Sequence, residues 1–303
     1  PADPQPLHGE GPMQNLTTDY LVIGSGAMGM AFSDVLLTET DAKIIIVDRH
    51  HQPGGHWNDA YPYVRLHQPS AFYGVNSKEL GNNTVDTTGL NKGLYELATN
   101  EEVCAYFGQV MQRQFLSSGR VEYFPSCEYQ GNGEFVSSIS GEKYTVSFNK
   151  EVDSTYMNVV VPSKRPPPFA LDGKVHCAPL NDLPTLSQQY DDFVIVGAGK
   201  TAMDAALFLL QNEVNPEKIA WIMPRDSWIL DRSHLQPTLG SIGELLANQI
   251  VPGSESEDID DFFTKISKAG GLLRIDDNVK PTMYRCCTVT KACLLYTSDA
   301  ADE

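Results

Sequence analysis

Basic side chains are scarce in this 303-residue chain: 22 Lys and Arg stand against 39 Asp and Glu, a formal net charge of −17, and no basic run occurs anywhere. A surface of that sign excludes nucleic acid and anionic membranes as partners, because both are held by clustered cations. Long apolar stretches are missing too; the longest are strand-sized, so no membrane-spanning helix is expected. Residues 1–17 are rich in Pro, Gly and polar side chains and lack the apolar centre of a signal peptide, which reads as a disordered tail with Met13 as a candidate start of translation. The six cysteines (Cys104, Cys127, Cys177, Cys286, Cys287, Cys293) include no C-x-x-C. That excludes the dithiol of a disulfide reductase and argues against a secreted disulfide framework, leaving reduced thiols in a cytoplasmic protein. Adjacent Cys286 and Cys287 would close only a strained ring. Metal-type spacing is also absent: His50, His51, His56 and His67 contain no i, i+4 pair and no accompanying Cys or carboxylate set, so no metal site is expected.

What is present is a soluble, globular composition, 41% hydrophobic and 20% charged, with length for two domains. The organising stretch is 19–48. An apolar strand (Tyr20-Leu21-Val22-Ile23) enters the turn Gly24-Ser25-Gly26-Ala27-Met28-Gly29, a helix follows to about Thr38, and a second strand (Ile44-Ile45-Ile46-Val47) stops at Asp48. Gly24 permits the tight turn, Gly26 keeps side-chain atoms away from a pyrophosphate, and Gly29 lets the helix pack on the strand. Phosphates would face the N–H groups of Ala27, Met28 and Gly29 at the positive end of the helix, and Asp48 is placed to accept hydrogen bonds from a ribose.

A second unit of the same kind starts at Asp191. Phe193-Val194-Ile195-Val196 leads into Gly197-Ala198-Gly199-Lys200-Thr201-Ala202, a helix runs to about Gln211, and the strand Lys218-Ile219-Ala220-Trp221-Ile222-Met223 ends at Pro224-Arg225-Asp226. Gly-x-Gly-x-x-Ala serves the same turn, with Ala202 as the small packing residue. Gly199-Lys200-Thr201 is no P-loop, because position 194 is Val where that motif needs Gly. Arg225 at the strand end favours the 2′-phosphate of NADPH; adjacent Asp226 keeps NADH as the alternative.

Between the units lies Arg49-His50-His51-Gln52-Pro53-Gly54-Gly55-His56-Trp57, then Tyr61-Pro62-Tyr63-Val64-Arg65-Leu66-His67-Gln68-Pro69-Ser70. An acid-terminated strand, Gly-Gly-x-Trp and then Tyr-Pro resemble the flavin-containing and Baeyer–Villiger monooxygenases. The resemblance implies that the first nucleotide is FAD, with Arg49 among the residues that bind it and Gly55, His56 and Trp57 along the ribityl and ring side. It implies that His67, Gln68 and Ser70 come near the isoalloxazine, and that the strand at 120–124 brings backbone to the adenine with Cys127 just past it. Helical spacing of apolar residues over 95–118 predicts an amphipathic helix packed on the first domain, and alternation over about 120–162 predicts an inserted antiparallel β meander, its last strand at 157–161. Two features depart from the family. Pro162-Ser163-Lys164 stands where relatives carry Ala-Thr-Gly, and Phe169, Gly173 and His176 only echo their Phe-x-Gly-x-x-x-His-x-x-x-Tyr signature.

The expected fold class is therefore α/β, with two Rossmann-like dinucleotide domains: a FAD domain over 18–185 and a truncated NAD(P) domain over 186–292. Residues 293–303 resemble a translated sequencing adapter, so the chain reads as a fragment lacking the rest of the second sheet and the return to the FAD domain. The implied activity is hydride transfer from NADPH to FAD, with onward transfer to dioxygen and a small organic substrate. Arg65, His67 and Gln68 are the candidates for tuning the flavin or stabilising an oxygen adduct. A reductase for a quinone-like acceptor and a non-catalytic flavin-binding protein are the alternatives.

Overall fold

A computed structural model describes residues 13–157 and 161–302. The chain packs as two units, one built from the chain through Ala60 with Tyr73–Leu80 and Glu101–Arg165, the other from Tyr61–Phe72, Gly81–Asn100 and the chain from Pro166 onward. The second unit thus takes the chain from Pro166, ahead of the boundary expected at 185, together with two excursions, Tyr61–Phe72 and Gly81–Asn100.

In the first unit, strand β1 (Gln14–Ile23) leads through the glycine turn to helix α1 (Ala27–Glu39) and strand β2 (Ile44–Val47), and the sheet continues in strand β5 (Val121–Phe124). Each β2 residue is buried, as a β-branched run in the middle of a parallel sheet must be. Beyond β1 stand strands β8 (Lys143–Asp153), β7 (Glu134–Ser137) and β6 (Cys127–Gly131), giving the order β5-β2-β1-β8-β7-β6. The register pairs Ile23 with Val47 and Asp153, and Val47 with Phe124. The parallel strands therefore end level, and the Gly24 turn and Asp48 share the carboxyl edge where open α/β sheets take ligands.

Two expectations change here. The strand begins at Gln14, inside the expected tail, because the long β8 pairs with it from Gln14↔Tyr144 onward. The meander is not a separate insertion, since β8 pairs in parallel with β1 on one side and antiparallel with β7 on the other. Of its expected last strand, Met157 lies in a turn and 158–160 fall outside the described residues. One face of the sheet closes over Leu21, Ile23, Ile45, Val47, Cys127, Phe135 and Val146. Helix α2 (Asn100–Val110) starts five residues later than its apolar spacing suggested, because Tyr95 and Thr99 are engaged in bridges to Val85 and Arg65. It continues through one wider turn at Met111–Phe115 and stops at left-handed Gly119. Strands β3 (Gly74–Val75) and β4 (Lys78–Glu79) form a small hairpin.

In the second unit, a short helix α3 (Leu183–Leu186) precedes strand β9 (Phe193–Val196), helix α4 (Lys200–Gln211) and strand β10 (Ile219–Ile222). β9 and β10 pair in parallel, as the βα turn requires, and Ile195, Ala202, Ala205, Ala206 and Leu209 fill the space between sheet and helix. Strands β11 (Trp228–Asp231), β12 (Leu272–Leu273) and β13 (Tyr284–Val289) make a separate three-stranded sheet in the order β12-β11-β13. Helices α5 (Leu239–Glu255) and α6 (Ile259–Lys268) lie between β11 and β12, α6 starting from an Asp258 cap. Helix α7 (Lys291–Asp302) runs through the adapter-like residues, and its Leu294 packs with Met203, Ile229 and Val289.

Candidate functional site

The first glycine turn has backbone specifications that only its sequence meets. Gly24 adopts φ +96°, its N–H donates to the Val47 carbonyl at 2.8 Å, and an added Cβ there would stand 2.8 Å from Ser154 Oγ. At Gly29 an added Cβ would lie 2.0 Å from the Gly24 carbonyl oxygen. Gly26 is the N-cap of α1 and offers no side-chain cap, so the first N–H groups of the helix, from Ala27, Met28 and Gly29, are left for a ligand or water. The Met28 side chain is 71% exposed, which leaves only its backbone to serve the turn.

The Gly54-Gly55 pair closes onto this turn. Gly54 N–H donates to the Ser25 carbonyl at 2.9 Å, and a Cβ on Gly55, at φ +55°, would meet Gly26 Cα at 2.9 Å. Close approach, expected here toward a flavin, is thus made between the two glycine turns themselves. Trp57 is buried and donates its indole N–H to Tyr73 Oη at 2.7 Å, while exposed His56 stacks beside it. Arg49 is exposed. Cys127 donates its N–H to the Asp48 carbonyl at 2.9 Å and turns its thiol into the sheet core, where burial pushes the thiol pKa up.

Asp48 is only 4% exposed and engages protein donors at both oxygens. Oδ2 accepts from Ser25 N–H at 2.5 Å and Ser25 Oγ at 2.6 Å; Oδ1 accepts from His50 N–H at 2.7 Å and faces His50 Nδ1 at 3.1 Å. Two donors per oxygen fill the ordinary capacity of a carboxylate. Burial alone would raise the Asp48 pKa, but these contacts outweigh it and hold it below the usual carboxylate value. The other ring nitrogen of His50 meets Asp59 at 2.9 Å, and Asp59 meets Lys164 at 3.1 Å. The Asp48 contact raises the His50 pKa most, burial opposes it, and Asp59 adds to the rise.

The second glycine turn is also uncapped. Gly197 has φ +123° with nothing within 4 Å of an added Cβ, and Gly199 is the N-cap of α4 without a side-chain bond. Ala202 is buried against the strand as the motif requires, and Thr201 is exposed. Lys200 turns back onto Asp204, which also accepts the Tyr61 hydroxyl at 2.7 Å. At the end of β10, Asp226 is buried and its carboxylate accepts backbone N–H groups of Ser227 at 2.7 Å, Ile275 at 3.1 Å and Asp276 at 3.0 Å, whereas Arg225 is exposed. Sequence reasoning missed Arg285. Its guanidinium would stand 3.4 Å from a Cβ on Gly199, and its Nε donates to Ser227 Oγ at 3.0 Å. No local pattern marks it, since β13 reaches this turn only through the fold.

Arg65, His67 and Gln68 sit on the Tyr61–Phe72 excursion. Arg65 is exposed and bonds the Leu97 carbonyl at 3.2 Å; Gln68 is half-buried; Ser70 is buried and receives the Ala98 N–H at 2.9 Å. His67 is tied down more firmly. Its carbonyl accepts from Arg232 Nε at 2.8 Å and from the Thr288 hydroxyl, and its Nδ1 accepts the Thr288 N–H at 3.3 Å. Burial first, then the charges of Lys200 and Arg232, lower its pKa to about 4. His67 is therefore a neutral imidazole at ordinary pH, and its accepting Nδ1 puts the proton on Nε2. Arg232, 5% exposed, is bonded to four neutral acceptors: the His67 and Thr288 carbonyls, Thr288 Oγ1 and Asn91 Oδ1. Tyr63 stacks on Phe208 with ring centroids 4.3 Å apart, and its buried hydroxyl has no partner among the described residues. No His, Cys, Asp and Glu group suited to a metal occurs among the described residues, and no helix among them is long and apolar enough to cross a membrane.

Residues 22–76 match the family described as the NAD(P)-binding Rossmann-like domain. Uncharacterized proteins of Mycobacterium tuberculosis H37Rv and Mycobacterium bovis are each 52% identical over 292 residues, which is 95% of this chain and 54% of theirs. The chain thus spans about half the length of the curated relatives it matches. Similar solved structures include a flavin-containing monooxygenase from Stenotrophomonas maltophilia (17% identity, 69% of this chain and 58% of that one, TM-score 0.41). They also include a cyclohexanone monooxygenase (18%, 80% and 44%, 0.41) and a bacillithiol disulfide reductase from Staphylococcus aureus (14%, 71% and 68%, 0.45). Residues 22–76 are thus similar to an NAD(P)-binding Rossmann-like domain, and the chain that carries them is a mixed α/β protein.

Proposed function

We propose that this chain is part of a FAD-dependent, NAD(P)H-oxidising oxidoreductase similar to the flavin-containing monooxygenases, acting on a small organic substrate. The observation that carries the reading is the repetition of one device: two strand–glycine turn–helix units, each with an uncapped helix N-terminus and a first glycine at positive φ. Both turns are compatible with a diphosphate, because Gly26 and Gly55 add no side-chain atoms beside the first and nothing lies within 4 Å of an added Cβ on Gly197. The first would hold the FAD pyrophosphate on the N–H groups of Ala27, Met28 and Gly29; the second would hold the nicotinamide dinucleotide, with Arg285 beside Gly199 adding a cation.

When bound, the flavin accepts a hydride from the reduced nicotinamide and passes electrons onward. The chain's own share is binding and orientation. NADPH is the favoured donor, since the Asp226 carboxylate that would select a free ribose is occupied by backbone N–H groups while Arg225 stands exposed for a 2′-phosphate. His67 presents a neutral Nε2–H as a hydrogen-bond donor, not a transferable acid proton, to whatever polar group lies before it. One observation favours a reductase as the second reading. Pro162–Lys164, where relatives carry Ala-Thr-Gly, forms a short helical turn whose lysine is spent on Asp59.

Titrating the purified chain with FAD and then adding NADPH without air tests the proposal. A bound-flavin spectrum that bleaches with NADPH supports it, and admission of air with a substrate panel separates oxygenase from reductase. A chain that takes neither FAD nor NADPH refutes it.

A further inference from the structure

His50 carries an assignment that neither glycine turn makes by itself. Its imidazole lies between two carboxylates, with Nδ1 at 3.1 Å from Asp48 Oδ1 and Nε2 at 2.9 Å from Asp59 Oδ2. A neutral imidazole has one N–H and one lone pair, so it can serve only one of these carboxylates and must turn a lone pair toward the other. Two short contacts to two anions require the imidazolium. The neighbouring groups fit that state: Lys164 meets the other oxygen of Asp59, and the pKa of nearby His56 is lowered by burial first and by His50 as well, which favours its neutral form. Ser126 donates its N–H to the His50 carbonyl at 2.8 Å, which fixes the backbone but adds no charge.

The Asp48 carboxylate is the group expected to receive the ribose, yet it has no acceptor direction left. One of its four donors must leave before a sugar hydroxyl can bind. Two are backbone N–H groups held by the turn. The third, the Ser25 hydroxyl, belongs to a fully buried residue. The fourth is the imidazole of His50, on a rotatable side chain that keeps 13% exposure.

We propose that His50 is a positioning residue that latches Asp48: as an imidazolium bridging Asp48 and Asp59 it withholds Asp48 from the nucleotide ribose, and on losing the Nδ1 proton to solvent it keeps only its Nε2–H on Asp59 and releases Oδ1 to the ligand. The inference rests on the reading that the first unit takes an adenine dinucleotide. Linkage then sets the sign. Binding removes one carboxylate from His50, lowers its proton affinity and releases a proton, so affinity rises with pH through the His50 titration, by at most about tenfold per pH unit.

The experiment has a ligand-free arm and a FAD arm, both on the whole chain. Imidazole proton resonances, assigned with His50→Gln, are followed against pH without ligand. FAD is then titrated calorimetrically across the same range in buffers of different ionisation enthalpy. The latch requires His50 to titrate above 6.5, FAD to release protons on binding, and His50→Gln to abolish both the release and the pH dependence. Asp59→Asn, which leaves the Asp48 contacts intact, moves the rise in affinity to lower pH, an effect that a merely structural histidine would not produce. His50 titrating at or below 6.5, proton uptake on binding, or equal pH profiles in wild type and His50→Gln overturns the latch. Absence of FAD binding at every pH overturns the cofactor reading and the latch with it; the ligand-free titration tells that result from a histidine that simply does not bridge.

Discussion

Gly29→Ala is the sharpest test of the first glycine turn, because the position demands a missing side chain and nothing else. Its φ is not left-handed, so alanine suffers no backbone strain there; the whole cost is steric. An added Cβ would stand 2.0 Å from the Gly24 carbonyl oxygen and 2.7 Å from Ser154 Oγ, where ordinary contact begins at 3.4 Å. Ser154 can rotate, but the Gly24 carbonyl belongs to a backbone that hydrogen bonds to Val47. Helix α1 must therefore move away from β1 by more than about 1 Å, which belongs at or above the upper end of the usual overpacking cost of about 3 kcal/mol. For a unit of this size that lowers Tm by roughly 6–12 °C. Gly119→Ala in the same unit is the control: it has φ +68° with nothing within 4 Å of the new Cβ, so only left-handed strain of about 1–2 kcal/mol applies. Urea and thermal unfolding of both variants decide the matter. If Gly119→Ala is destabilised as much as Gly29→Ala, close packing of helix on turn is not what selects glycine at position 29.

Arg225→Ala should weaken NADPH binding about tenfold or more and leave NADH nearly unchanged, read by equilibrium titration with each nucleotide; equal losses would refute its 2′-phosphate role. Arg232→Leu takes the guanidinium from the Thr288 carbonyl and from the His67 carbonyl, which keeps only the Thr288 hydroxyl, and should cost about 1–3 kcal/mol in the urea unfolding of the second unit. Stability against pH should carry two opposite histidine signatures. His67, lowered to about 4 in the fold, contributes stability that is complete above 6.5 and lost as pH falls toward 4. His50, raised in the fold, contributes stability that is complete below 6.5 and lost as pH rises through its folded value. Urea midpoints across pH should show the acid-side slope vanish in His67→Gln and the alkaline-side slope vanish in His50→Gln.

The glycine turns and the strands beside them were readable because their requirements are local. A positive φ at Gly24, a clash-free Gly29 and a buried β-branched run in β2 each depend on chain within a few residues. The Gly54-Gly55 pair was recognised by its motif, but its neighbour is the other turn, a contact spacing alone does not disclose. Residues that act through distant chain stayed hidden. Arg232 is 165 positions from the His67 carbonyl it holds, and Arg285 comes to Gly199 from β13. Alternation discloses the strands of the antiparallel meander but not that its β8 lies beside β1, because alternation reports which face a residue takes and not which strand lies next to it.

Strand β8 belongs to two hydrogen-bonding ladders at once, one to β1 and one to β7. The excursion after β5 therefore cannot peel away without tearing the neighbour of the very strand that delivers Gly24 to its turn. Whatever flexibility the carboxyl edge possesses must come from its loops, while the platform beneath them gives way only as a single cooperative block.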